Sequence, residues 1–278
     1  MKRLMWRHVP AFGRRYRRCS RLLGMLLATL TMQPWLAPCA HAQTTIAAGE
    51  TESGQPISGI EIVLGQTNND VLDPGGQQIV SAGGNASGTI VSDGGQQIVV
   101  SNGEAGGTEV LFGGTLTVSA GGEAIGVEQE AGAALITNTS ATLIGQRAGV
   151  PFSILDGAAQ NVFAEAGGQL TILPGTSAFN TQVGSGGLEW VSSGGLASGT
   201  IVTSGGSEFV SFGGTAVGTS VTSNGSQTVL GSASGTTVFA GGSVFVSSGG
   251  TTSGTEVDSG GNEVVSSGGI ARGTQVTS

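Results

Sequence analysis

Beyond position 42, carboxylates are the only side chains in this 278-residue chain suited to acid/base chemistry. Asp156 and Glu165 flank Gly157–Ala164, and two carboxyl groups roughly 5–9 Å apart can divide the acid and base roles of glycoside hydrolysis. The alternative is that both are turn-surface acids. Polysaccharide lyases need basic side chains, and only Arg147 and Arg272 remain after the first 42 residues. Both cysteines, both histidines, the one lysine and the one tyrosine precede Gln43. The rest of the chain therefore has no thiol, imidazole or amine for disulfides, Cys or His zinc sites, Ser-His nucleophiles or Schiff bases. Calcium-binding nonapeptides of the G-G-x-G-x-D form do not occur, and the Gly-Gly pairs precede no phosphate-binding helix. No catalytic residue, cofactor or metal is expected.

Hydroxyls and aromatics recur in files. Trp190, Phe209, Thr228, Phe245 and Val264 occupy one repeat position, each followed by valine. One of two adjacent apolar positions on a flat strand must face outward. The file is then either a stacked core at a bend or an exposed stripe for contact with another rod or a receptor. Ser192, Ser211, Ser247 and Ser266 form a second file, which offers lateral hydrogen bonds, a glycosylation surface or a solvated face. Thr89, Thr108, Thr200, Thr219, Thr236, Thr255 and Thr274 share a strand face with valine and are expected to point inward rather than form an ice-binding ladder.

These files need a scaffold that stacks equivalent residues. GGLEWVSSGGLASGTIVTS starts at Gly186, and GGSEFVSFGGTAVGTSVTS follows at Gly205, nineteen residues on. GGSVFVSSGGTTSGTEVDS at Gly241 and GGNEVVSSGGIARGTQVTS at Gly260 repeat the spacing, as do GGQQIVSAGGNASGTIVSD at Gly75 and GGQQIVVSNGEAGGTEVLF at Gly94. Each unit holds two short β-prone runs separated by glycine corners. A fixed period near twenty residues signals a solenoid, and nineteen residues are too few for a propeller blade. The expected fold is all-β: a parallel β-helix of 19-residue repeats with coils roughly 4.8 Å apart. Ten or so coils would make a rod on the order of 50 Å long.

The start of the chain differs. Met1–Arg21 carries eight basic residues and no acid, Leu22–Leu30 is a short apolar run, and Ala40-His41-Ala42 fits a signal-peptidase site. Residues 1–42 are read as an extended, cleaved signal peptide, because the apolar run is about half a membrane span. A lipoprotein site at Cys39 would have Pro38 before it, a poor match. After cleavage two arginines face eighteen acids, a formal charge of −16. So acidic a surface is unsuited to nucleic acid or anionic membranes. Residues 43–73 do not follow the repeat and are expected to cap the solenoid. Residues 74–278 are the repeats, with an irregular segment at 132–166 and a seventeen-residue unit at Asn224–Ala240 that has lost two residues between Leu230 and Ser232.

The GG-x-x-x-V-S-x-GG-x-A-x-G-T-x-V repeats, the overlong basic leader and the irregular segment Ala134–Val183 resemble the passenger of AIDA-type self-associating autotransporter adhesins, in the aggregating-antigen branch. The resemblance covers nearly the whole chain. It implies a surface adhesin acting in bacterial self-aggregation, biofilm formation and attachment to host-cell surfaces or glycans. It also implies a heptosyltransferase as a partner that modifies Ser and Thr. Family members continue into a C-terminal translocator barrel. This chain reaches Ser278 on a complete repeat without the alternating ten-residue strands of such a barrel. A barrel is thus expected to be absent from this sequence, leaving periplasmic residence unless one is joined to it. The competing readings are a polysaccharide-active β-helix enzyme with a cleft around Glu165 and a passive structural stalk.

Overall fold

A computed structural model describes residues 43–277, and the expected leader lies outside them. Every regular element among the described residues is a β-strand. A coil consists of strands of four, three and two residues separated by corners, as in Leu188–Val191, Leu196–Ser198 and Ile201–Val202. Alternation sets the facing: Glu189 and Val191 are buried, whereas Leu188 and Trp190 lie on the outer side.

Successive coils pair in parallel and in register. Val191, Val210, Val229, Val246 and Val265 are partners in turn, and the first four have no exposed surface. Ala178, Ala197, Ala216 and Ala233 stack likewise on the second face, and Val183, Val202, Val221 and Val238 on the third. The second face thus turns a file of small, buried side chains toward the hollow. The four-residue strands, with the five-residue Ala134–Asn138 among them, form one twelve-stranded sheet. The solenoid therefore has about twelve turns, with the nineteen-residue step predominating.

The two glycines of a corner serve different needs. Gly249 has φ 84°, in the region that disfavours a Cβ. At Gly250 a Cβ would run into the carbonyl oxygen of Val229 in the coil below. Shortened corners explain the residues lost from the period. Leu230 and Gly231 both donate their N–H groups to the Val210 carbonyl, at 2.8 and 3.1 Å, replacing the usual four-residue corner. Leu64 and Gly65 do the same to Ile46, at 2.9 and 3.0 Å. Residues 43–73 carry the same kinds of strand in two seventeen-residue steps, Gln43 to Ile60 and Ile60 to Gln77. Their inner residues Ile46, Ile57, Val63 and Leu72 are buried.

The irregular segment is an inserted antiparallel unit. Strand Thr142–Arg147 turns back into Val150–Leu155, which pairs antiparallel both with it and with Ala158–Gln160. Ala158–Gln160 then resumes parallel stacking on Ser177–Phe179. Three strands on the second face thus correspond to one, Ala134–Asn138, on the first. The first sheet absorbs this by a two-residue slip: Thr137 pairs with Val118 on one side and with Leu170 on the other. Phe152 and Ile154 fill the core at the joint.

Candidate interaction faces

The expected aromatic file is in register, with Trp190, Phe209, Thr228, Phe245 and Val264 partnered in turn. It points outward, and the stacked-core placement does not occur: Trp190 is 37% and Phe245 40% exposed. The cause is strand alternation, since the valine that follows each member takes the inner position. The Trp190 and Phe209 rings stack with centroids 4.3 Å apart at 23°. Beside this file runs a polar one two residues upstream, where the Ser207 and Ser226 hydroxyls lie 3.1 Å apart. Toward the N-terminus the same pair of files is Ile62, Ile79 and Ile98 beside Ile60, Gln77 and Gln96. Gln77 donates to Gln96 across 3.1 Å there. The outer face of the first sheet is therefore a strip two side chains wide, mainly apolar along one file, with Thr117, Thr171 and Thr228 interspersed, and mainly hydrogen-bonding along the other.

The serine file is less open than its type suggests. Ser192, Ser211, Ser247 and Ser266 follow the four-residue strands, and each donates its N–H to the coil below at 2.9–3.0 Å. Ser266 is exposed, but Ser192, Ser211 and Ser247 are half-buried, and Ser211 Oγ is shielded without a hydrogen-bond partner. The open hydroxyls at this corner belong to the next residue, Ser193 and Ser248, and its equivalent Phe212 is 77% exposed. A one-residue displacement at a corner is invisible to the repeat, because both positions are rich in serine.

The expected acid pair does not form a free dyad. Asp156 sits exposed in a turn with φ 50°. Glu165 Oε1 accepts from the Gly132 amide at 2.7 Å and pairs with Arg147 at 2.7 Å. The Arg147 guanidinium also lies 4.8 Å over the Phe163 ring. A cleft does open beside Glu165, lined by Arg147, Val150, Phe163, Gln182 and Thr203. Its two charged groups are already spent on each other, and they hold the inserted hairpin to the coil that follows. Among the described residues no group of three or more His, Cys, Asp or Glu is placed to hold a metal ion, and no helix is long and apolar enough to cross a membrane.

The threonine file points inward, and Thr89, Thr108, Thr200, Thr219, Thr236 and Thr255 are buried. Its partners are an inner file that the repeat pattern did not reveal: Glu61, Gln78 and Gln97 at one end, Glu189, Glu208 and Gln227 toward the other. Gln97 donates to Gln78 at 2.8 Å, and the Thr89 and Thr108 hydroxyls donate to Gln78 and Gln97 at 3.2 and 2.8 Å. The signal available in the sequence was alternation alone, since these polar residues stand two before the buried valine.

These features define a β-solenoid with its polar chemistry spread along repeated files, inner and outer. A family model described as "adhesin of bacterial autotransporter system, probable stalk" matches residues 60–114 and 145–206. The match supports an AIDA-type autotransporter adhesin passenger, whose stalk coils the matched residues resemble. Among solved structures, it is similar to the crystal structure of a TibC-catalysed hyper-glycosylated fragment of TibA. The two are 28% identical, the match covers 85% of this chain and 94% of that one, and the TM-score is 0.48. No curated protein matches the chain.

Proposed function

We propose that the solenoid acts as a multivalent adhesive surface in bacterial self-aggregation, biofilm formation and host-cell attachment. The observation that carries this reading is the outer strip of the first sheet, where Trp190, Phe209 and Phe245 stand in one file beside a serine file. Each coil contributes a weak contact to another copy or to a host glycan, and a rigid rod presents many of them together. Export by the leader and display through a translocator barrel would place the strip at the cell surface. Exposed Ser and Thr at the corners, such as Ser193 and Ser248, are the positions open to glycosyl transfer.

The polysaccharide-enzyme reading is disfavoured by the occupied Glu165 carboxylate. The test of the adhesive reading is a variant with Trp190→Ser, Phe209→Ser and Phe245→Ser, displayed on cells or beads. Clumping and glycan binding should fall at least several-fold while the β circular-dichroism signal is kept. Unchanged binding would assign the contact to another face.

A further inference from the structure

The inner polar file is a ladder in which each rung needs a donor aimed at the next. Amides meet that need: Gln97 donates to Gln78, and Gln227 Nε2 donates to Glu208 Oε2 at 2.7 Å. The next step fails as drawn with carboxylates. Glu189 and Glu208 are direct partners on adjacent parallel strands, 0% and 1% exposed, and ionised carboxylates are acceptors only. Thr200 Oγ donates to Glu189 Oε2 at 2.7 Å, which leaves Oε1 of both glutamates without a partner. No cation is available to the pair. The inward residues packed around it are Leu170, Val191 and Val210 on the first face, Ala178, Ala197 and Ala216 on the second, and Val183, Val202 and Val221 on the third. Thr181, Thr200, Thr219 and Gln227 complete the surroundings. Glu189 and Glu208 are thus the only titratable or charged side chains in that stretch of the hollow.

We propose that Glu189 and Glu208 hold one proton between them, as an acid–carboxylate hydrogen bond that completes the ladder, and that losing it loosens the coils built on Leu188–Val191 and Ser207–Val210. Two buried like charges stacked at the coil spacing cannot both ionise without strong repulsion. The electrostatics agree. Burial, and after it the Glu189 charge, pushes Glu208 up to about 8, against hydrogen bonds from Gln227 and Thr219. Burial also raises Glu189, against the Thr200 hydrogen bond.

The linkage has an unusual sign. The folded pair retains a proton that the unfolded chain releases near pH 4.5, so stability contributed by the pair is complete below that value. It is lost as pH rises toward about 8. The adhesive rod would stiffen in acid, where most proteins weaken.

The experiment compares the purified full chain with Glu208→Gln and Glu189→Gln. Hydrogen exchange is followed at the amides of Leu188–Val191 and Ser207–Val210 from pH 5 to pH 9, corrected for intrinsic exchange. In the wild type, protection should fall by up to about tenfold per pH unit within that window. In Glu208→Gln, whose amide supplies the missing donor, the slope at these strands should flatten. The slope at Ile60–Val63 should remain, because Glu61 is raised separately by burial and by Asp70. Infrared spectra give a second readout that does not depend on unfolding: a protonated-carboxyl carbonyl band at pH 7, weakened in either variant. An equal slope in wild type and Glu208→Gln, or no acid band in the folded wild type, overturns the proposal. A cation bound in place of the proton would give the second result.

Discussion

A single residue step decides which way this molecule presents its chemistry. Trp190 and Val191 are both apolar, and the strand turns one outward and one inward. The sequence narrowed the aromatic file to two placements, and the backbone chose the exposed one. Alternation also explains what was missed: Glu189 and Glu208 are inner residues by parity with Val191 and Val210, although the repeat pattern did not single them out. The acid-stiffened ladder therefore depends on a type of residue that composition alone assigns to the surface. Corner glycines permit a graded test at this scale. Gly249→Ala should cost about 1–2 kcal/mol, since it adds a Cβ at positive φ with open space around it. Gly250→Ala should cost more, because the Val229 carbonyl must move. Urea midpoints of the two variants check the order, and the reverse order would contradict the assigned corner geometry.

At the scale of elements, regular coils were legible and the joint was not. Nineteen-residue copies predict parallel stacking directly, and the register of Val191 with Val210 and Val229 follows from them. The loss of the glycine period near Val150-Pro151-Phe152 marked an interruption. An antiparallel strand inserted between parallel ones is set by long-range pairing, which periodicity does not encode. The same holds for Arg147, notable in sequence only for its rarity, which here joins Glu165 and Phe163 across the hairpin. Arg147→Met should leave a part-buried carboxylate without its partner, at a cost of about 2 kcal/mol. Hydrogen exchange should accelerate across Val150–Leu155 and leave Ser226–Val229 unchanged. A global loss of protection would show instead that the joint supports the whole stack. The segment 43–73 was opaque for a different reason. Its coils step by seventeen residues, so copies of the nineteen-residue unit do not align with them.

For the whole molecule, the central claim is that adhesion is a sum over coils and has no single locus. Register makes this testable, because removing Gly205–Ser223 deletes one nineteen-residue coil and rejoins equivalent positions. Removing Gly186–Ser223 deletes two. Stacking is pairwise between neighbours, so the shortened solenoids should remain folded. The most direct measurement is the detachment force or aggregation rate of cells displaying the intact, one-coil-deleted and two-coil-deleted chains, with circular dichroism confirming the fold. The account predicts a graded decline, with the logarithm of avidity falling by similar steps for each coil removed. Abrupt and complete loss on removing Gly205–Ser223 alone, from a solenoid that is still folded, would contradict it.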